Sequence, residues 1–121
     1  MKRLLAMLLV VLVACGGGNG GTSHAVAACH ASADAVTAWH HYLDVTRGTF
    51  TRDEMTAADN DIAAADQRMT SEAAQAAASD SKWDTLNRAL ATIAKQNRNG
   101  GDVDVTVNAT VNAECGKASA S

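Results

Sequence analysis

Proline is absent from this chain of 121 residues, and aromatic residues make up only 3% of it. Without proline, no helix is forced to break by the loss of a backbone donor. Hydrophobic residues still account for 47% of the chain, so the apolar share consists mainly of alanine and short aliphatic side chains. Because alanine is the best helix former and buries little area, the composition predicts closely packed helices around a thin core.

Positive charge is also scarce: 10 lysine and arginine residues stand against 13 aspartate and glutamate residues. The formal net charge is -3 at pH 7. Two of the cations, Lys2 and Arg3, lie in a segment that we expect to be removed, which leaves the remainder more acidic. This balance argues against binding to nucleic acid or to a membrane through a polybasic patch.

Residues 1–14 have the organisation of an export signal. Lys2 and Arg3 precede an unbroken apolar run from Leu4 to Ala14, as in the charged and hydrophobic regions of a secretory signal peptide. The run is shorter than the roughly 20 apolar residues that span a bilayer. A buried N-terminal helix is the alternative, but the stretch from Gly16 to Gly21 would uncouple it from any core.

The run ends in Leu12-Val13-Ala14-Cys15, which resembles the lipobox of bacterial lipoproteins. The resemblance implies that a diacylglycerol is attached to the Cys15 sulfur and that the chain is cut just before this residue. Two or more acyl chains give stable anchoring, whereas one gives marginal binding. In the enterobacterial members of the family, an aspartate after the cysteine retains the protein at the inner membrane. Gly16 stands there in this chain, so the resemblance favours the outer membrane where the organism has one.

Residues 15–22 are predicted to form the lipidated cysteine and a flexible tether, because glycine-rich segments bury too little surface to fold. A phosphate-binding glycine loop is the alternative, but no strand precedes the segment and no Gly-Lys-Ser/Thr follows it. We therefore expect one domain at 23–116 and a disordered tail at 117–121.

Cys29 and Cys115 are the two cysteines that remain once Cys15 is assigned to the lipid. Export places them in an oxidising compartment, where two cysteines allow a single pairing. A bridge that closes so long a loop contributes about 4–5 kcal/mol in the chain-entropy model. Two buried free thiols are the alternative, and we expect the disulfide.

Hydrophobic periodicity predicts three helices. The first, over 23–47, carries apolar residues on one face and has Gly48 as its stop. The second, over 51–79, begins with a capping box made by Thr51 and Glu54. The third follows another capping box at 81–84 and ends before Asn99. The residues assigned to the three faces are Cys29, Ala33, Val36, His40 and Leu43; Met55, Ala58, Ile62, Ala65, Met69 and Ala76; and Trp83, Leu86, Leu90, Ile93 and Asn97.

The segment from Asp102 to Cys115 fits two structures. Alternate residues from Val103 onward are apolar, which is typical of a strand. Val103, Val107 and Val111 also lie four residues apart, which is typical of a helix with Asp102 as its N-cap. We favour a short helix over an extended return segment, because no other segment offers a strand partner.

The predicted fold is all-α: a small antiparallel bundle of three clear helices and a fourth short helix or extended segment, stapled by one disulfide. A fourth element that runs back would bring Cys115 beside Cys29. The aromatic residues are expected to supply the bulky part of the core. They are Trp39, Tyr42, Phe50 and Trp83.

No cofactor is expected. His30, His40 and His41 are the candidate ligands of a metal site. The prediction is weak, because no two of them have the i,i+3 or i,i+4 spacing that two ligands on one helix need. Carboxylates from another helix would have to complete such a site. Cys29-His30 resembles the end of a haem-attachment motif, but Val26 stands where the first cysteine is required.

The sequence contains no arrangement typical of an enzyme. No serine has a Gly-x-Ser-x-Gly context. Asp59, Asp61 and Asp66 are interpreted as a solvated helix face with Arg68 nearby, because carboxylates need a cleft that shifts their pKa values before they serve in acid–base chemistry. We therefore expect a protein that is not an enzyme.

Our leading hypothesis is a membrane-anchored cell-envelope lipoprotein with a non-catalytic helical domain that binds a partner or has a structural role. Its partners would be the membrane, through the lipid on Cys15, and an unidentified envelope protein, but not nucleic acid. Trp39, Tyr42 and Trp83 are the candidate interaction surface, to the extent that any of them is exposed rather than buried in the core. The alternative is a ligand-binding lipoprotein that holds a metal, haem or a small apolar molecule between helices.

Overall fold

The computed structural model describes residues 21–100 and 102–121. They form four α-helices and one short 3₁₀-helix, and this part of the chain contains no strand. The export signal, Cys15 and the tether as far as Gly20 lie outside the described residues. The helices are α1 (Thr22–Arg47), α2 (Arg52–Ser79), α3 (Asp84–Arg98) and α4 (Val105–Ala120), and the 3₁₀-helix is Ser81–Trp83.

The helices form a closed antiparallel bundle, as predicted. Helix α1 packs along α2, α2 against α3 and α3 against α4, and α4 completes the ring against α1. Short connections make consecutive helices antiparallel. Cys29 on α1 and Cys115 on α4 form the expected disulfide, with their Cα atoms 5.7 Å apart.

The ambiguous last segment is a helix, but it begins later than predicted. Asp104, not Asp102, is the N-cap, and its carboxylate accepts a hydrogen bond from the backbone N–H of Thr106 at 2.7 Å. Val111, which the helical spacing placed on the apolar face, is buried. Val105, which only the alternating strand pattern placed on an apolar face, is 82% exposed. The helix satisfies its backbone groups internally, whereas a strand here would have had no neighbour to pair with.

The expected disordered tail at 117–121 is wrong, because α4 continues to Ala120. Ala118 is buried in the core, which fixes the last turn of α4 against the bundle. In the same turn, Lys117 Nζ lies 2.8 Å from the buried Glu114 carboxylate.

The domain also begins earlier than expected. Thr22 belongs to α1 and is buried, although the glycine-rich pattern placed it in the tether. Gly21 precedes it with a φ of 55°, and a Cβ atom there would lie 2.5 Å from the carbonyl oxygen of Ala76. The start of α1 therefore touches the end of α2, and only glycine combines this backbone conformation with this contact.

The capping prediction is confirmed for α2 and wrong for the segment before α3. The backbone N–H of Glu54 donates to Thr51 Oγ1 at 3.1 Å, and the Thr51 hydroxyl donates to the Glu54 carboxylate at 3.2 Å. Ser81 makes no such cap. Instead the Asp80 carboxylate accepts from the N–H of Lys82 at 3.0 Å, and this cap starts the 3₁₀-helix.

The buried faces of α2 and α3 are largely as predicted, but the face of α1 is wrong. Val36 is 55% exposed, and Ala33 and His40 are exposed as well. The buried residues of α1 are instead a set of small side chains, which let the backbones of α1 and α2 approach closely. They are Thr22, Ala25, Ala28, Ala31 and Ala35.

The expected aromatic core is also wrong, except for Trp83. This indole is 2% exposed and is one of the largest fully buried side chains, together with Met69, Leu86 and Leu90. Of the other three aromatic residues, Tyr42 and Phe50 lie toward the connection between α1 and α2, while Trp39 lies beside the end of α3.

Candidate functional site

Helices α1 and α2 extend beyond the shorter pair that packs on them. They have 26 and 28 residues, whereas α3 and α4 have 15 and 16. At about 1.5 Å per residue, roughly 15–20 Å of the α1–α2 hairpin has no third helix beside it. The last buried residue of α1 is Ala35 and the first of α2 is Ala58. We call residues 36–57 the arm.

Large apolar side chains are exposed on the arm. Val36 is 55%, Trp39 38% and Phe50 39% exposed. The rings of Trp39 and Tyr42 are stacked, with centroids 5.5 Å apart and planes inclined by 13°. Stacking of this kind adds favourable contact between the two rings beyond the burial of their area. Of the three predicted interaction residues, Trp39 is therefore exposed and Tyr42, stacked on it, is half-buried.

Trp83, the third predicted interaction residue, is not part of this surface. Its indole is buried between the helices, and the Lys82 ammonium group lies 5.3 Å from the ring centroid. The aromatic group that the sequence prediction left out of the interaction surface is Phe50, which lies just before the first residue of the α2 capping box. Its position in a connection between two helices was the signal available in the sequence.

A groove with a volume of about 310 Å³ lies at the foot of the arm, where α1 faces the end of α3 and the connection to α4. The lining combines apolar and polar residues on the same walls. The apolar ones are Ala35, Val36, Trp39, Ile93 and Val103, and the polar ones are Ser32, Asn97, Asp102 and Asn108. The sequence patterns did not predict this groove, because they placed Val36 in the core and Asp102 at a helix cap.

Asp66 is a buried carboxyl group close to the groove, although it was expected on a solvated acidic face. It is 7% exposed, and Asn97 Nδ2 donates to its Oδ1 at 3.1 Å. Burial raises the pKa of Asp66 above its ordinary value, while the Asn97 hydrogen bond and the Arg98 guanidinium act in the opposite direction. This contact joins α2 to the end of α3. Asn97, at this end of α3, also lines the groove.

The structure does not bring the candidate metal ligands together. His30, His40 and His41 are exposed along α1. His24 Nδ1 lies 2.6 Å from Glu72 Oε2, so this histidine links the start of α1 to α2. Within residues 21–100 and 102–121, no three histidine, cysteine, aspartate or glutamate side chains form a group that could hold a metal ion.

None of the helices in the described part of the chain is both long and apolar enough to cross a bilayer. No family model, curated protein or solved structure matches the chain. The arm and the groove are therefore the features from which a function has to be argued.

Proposed function

We propose that this chain is a lipid-anchored cell-envelope protein, held in the membrane through Cys15, whose helical domain is a non-catalytic module that binds a partner protein through the arm. The observation that carries the partner-binding part is the stacked Trp39–Tyr42 pair on a protruding hairpin. Exposed aromatic side chains with fixed positions are the groups that most often dominate the energy of protein interfaces.

The direction of the arm supports this arrangement. The tether would join the domain at Gly21, directly before α1, and α1 runs about 39 Å from there to the far end of the hairpin. The arm begins at Val36 and contains the second half of α1. An anchor at Cys15 would therefore leave the arm as the part of the domain farthest along α1 from the tether.

The charges around the arm indicate the chemistry of the partner surface. Acidic groups outnumber basic ones on the arm, where three exposed carboxylates stand against Arg47 and Arg52. A complementary protein would have an apolar recess for the aromatic side chains and a basic rim around it. The three carboxylates are those of Asp44, Asp53 and Glu54.

A photo-crosslinking experiment in intact producing cells tests the proposal. A benzophenone amino acid placed at Phe50 is expected to give a discrete adduct with an envelope protein. The same group placed at Val105, which is apolar and 82% exposed but outside the arm, is the matched control. Reversing the charge of Asp53, which takes no part in the Thr51–Glu54 cap, is expected to weaken the Phe50 adduct, since it reduces the complementarity to a basic rim.

The anchor is tested in the same cells. A clickable fatty acid is expected to label the parent chain, and Cys15→Ser is expected to abolish both the label and the recovery of the chain with membranes. Equal adducts from Phe50 and Val105, or none from Phe50, would contradict the partner-binding part of the proposal. Lipid labelling that persists in Cys15→Ser would contradict the anchor.

A further inference from the structure

The groove at the foot of the arm has the features of a small-molecule site rather than of a continuous protein interface. Its volume of about 310 Å³ is at the lower end of the range of about 300–1,000 Å³ that is common for ligand pockets. Its lining is mainly apolar with a few polar side chains, and such a combination binds the body of an amphipathic ligand and fixes its polar group.

The charge in the lining of the groove is negative. Asp102 is the one charged side chain among the lining residues, and within the described residues no lysine or arginine forms a salt bridge with it. Asn97, beside it, already donates a hydrogen bond to the Asp66 carboxylate. Arg98 acts on Asp66 but does not line the groove. The polar residues of the lining therefore favour a ligand that donates hydrogen bonds or carries positive charge.

The apolar residues of the lining suit the body of such a ligand. Val36 and Trp39 are unusually exposed for their size, so a ligand that covers them removes apolar area from water. The stacking of Trp39 on Tyr42 holds the indole in position. An aromatic face also attracts cations, which adds to the attraction of the Asp102 carboxylate.

We propose that the groove binds a small organic cation, an amine with an aromatic or branched aliphatic body, whose body packs on Val36 and Trp39 and whose ammonium group faces Asp102. This site goes beyond the partner-binding role proposed for the arm and does not depend on it. Trp39 belongs to both the arm and the groove, but Phe50, the crosslinking position, does not line the groove, so the crosslinking and the amine titration have separate readouts.

Nuclear magnetic resonance tests the site directly, because the chain has two tryptophans and each gives one indole N–H signal. Trp39 lines the groove, while Trp83 is buried and its indole nitrogen has no hydrogen-bond partner among the described residues. The purified protein, produced from the full 121-residue chain, is titrated with 2-phenylethylamine. We expect a saturable shift of the Trp39 signal and an unchanged Trp83 signal.

Two further probes separate charge from apolar contact. 2-Phenylethanol and 3-phenylpropanoate have a similar body with a neutral and a negative head group, and we expect them to bind more weakly than the amine, in that order. In Asp102→Asn, the affinity for the amine is expected to fall about 2–5-fold, as for the loss of one partly exposed ion pair, while the affinity for the alcohol stays the same. Asp59→Asn, an exposed aspartate of α2 outside the groove, is the matched control and is expected to change neither affinity.

Three results would overturn the proposal. The first is the absence of a saturable Trp39 shift with the amine. The second is equal affinity for the three probes, because it would mean that the carboxylate has no role. The third is an equal loss of amine affinity in Asp102→Asn and Asp59→Asn, since this would reflect the overall charge of the protein and not a site.

Discussion

Asp66 illustrates how the surroundings of a single residue decide its chemistry. All three of Asp59, Asp61 and Asp66 were predicted to be solvated, yet Asp59 and Asp61 are exposed and Asp66 is buried. The end of α3 covers it, and Asn97 provides a hydrogen bond that compensates part of the desolvation of the carboxyl group.

The burial of Asp66 predicts a pH dependence of stability. Because its pKa is raised in the folded state, the folded protein holds the proton more tightly than the unfolded chain does. The stability that this proton provides is present below the ordinary aspartate pKa and is lost as the pH rises through the raised pKa. We expect Asp66→Asn, which keeps an oxygen for the Asn97 hydrogen bond, to gain stability relative to the parent as the pH rises through this window. Urea unfolding of both proteins across the acidic range measures the difference.

Asp59→Asn is the control for this experiment, because it removes a carboxylate from the same helix without altering a buried group. An equal pH dependence in the two variants would contradict the explanation, since it would point to the net charge of the protein. A stability difference between Asp66→Asn and the parent that does not change with pH would contradict it as well.

At the scale of the helices, alanine explains both the success and the failure of the sequence patterns. The faces of α2 and α3 contain large apolar residues such as Met69, Leu86 and Leu90. Burying the face that holds these side chains stabilises the fold more than burying another face of the same helix, because it removes more apolar area from water. In α1 the larger side chains lie beside the buried alanines rather than among them. Alanine is apolar on every side of the helix, so periodicity alone did not identify the face that α2 covers. The close approach of the two backbones decided it.

The contact between the start of α1 and the end of α2 makes a prediction about Gly21. In Gly21→Ala the new Cβ atom would overlap the Ala76 carbonyl oxygen and the residue would keep a positive φ. Backbone strain and overpacking each contribute, so we expect a loss of about 2–5 kcal/mol in the free energy of unfolding. Chemical denaturation of the purified variant measures it.

Two other glycines separate these causes. Gly100 has a φ of 68°, but an added Cβ atom would meet no other atom within 4 Å. Backbone strain alone is therefore expected to lower the free energy of unfolding of Gly100→Ala by only about 1–2 kcal/mol. Gly48 has a φ of -106°, and a Cβ atom there would also meet no other atom within 4 Å. The free energy of unfolding of Gly48→Ala is therefore expected to stay within about 0.5 kcal/mol of that of the parent. Equal effects of Gly21→Ala and Gly100→Ala would show that the contact with Ala76 has no energetic role.

For the whole molecule, the disulfide compensates for a core that is rich in alanine. Helix α4 buries only Val111, Glu114 and Ala118, so its apolar contacts with the bundle are few. The Cys29–Cys115 bridge joins residues 86 positions apart in the chain. Closing a loop of this length restricts the unfolded chain strongly, and it holds α4 against α1 at the same time.

Reduction of the bridge is expected to lower the free energy of unfolding by about 4–5 kcal/mol and to release α4 before the other helices. Hydrogen exchange measured by mass spectrometry, with and without reductant, checks both parts. Peptides from α4 are expected to lose protection first, while those from α2, with seven buried residues, keep most of theirs. Unchanged protection of α4 after complete reduction would contradict this role of the bridge.

The candidate site was only partly predictable from the sequence. Trp39 and Tyr42 were predicted as interaction residues where exposed, because exposed aromatic side chains often dominate protein interfaces, and the structure stacks them on the arm. The groove was not predicted, because it depends on where α3 ends relative to α1. That position follows from helix lengths and packing, which no local pattern encodes. Asp102 became a groove residue for the same reason, once Asp104 capped α4 in its place.

The sequence by itself determined the helical class, the faces of α2 and α3, the Thr51 cap and the pairing of Cys29 with Cys115. The helical class, the two faces and the cap depend on the local spacing of residues, and the disulfide depends on the number of cysteines that are available to pair. The tertiary structure alone decided which face of α1 is buried, where the arm begins and that Asp66 is covered. The physical reason is that alanine-rich helices have weak preferences for one face, so the close packing of their neighbours determines what is exposed.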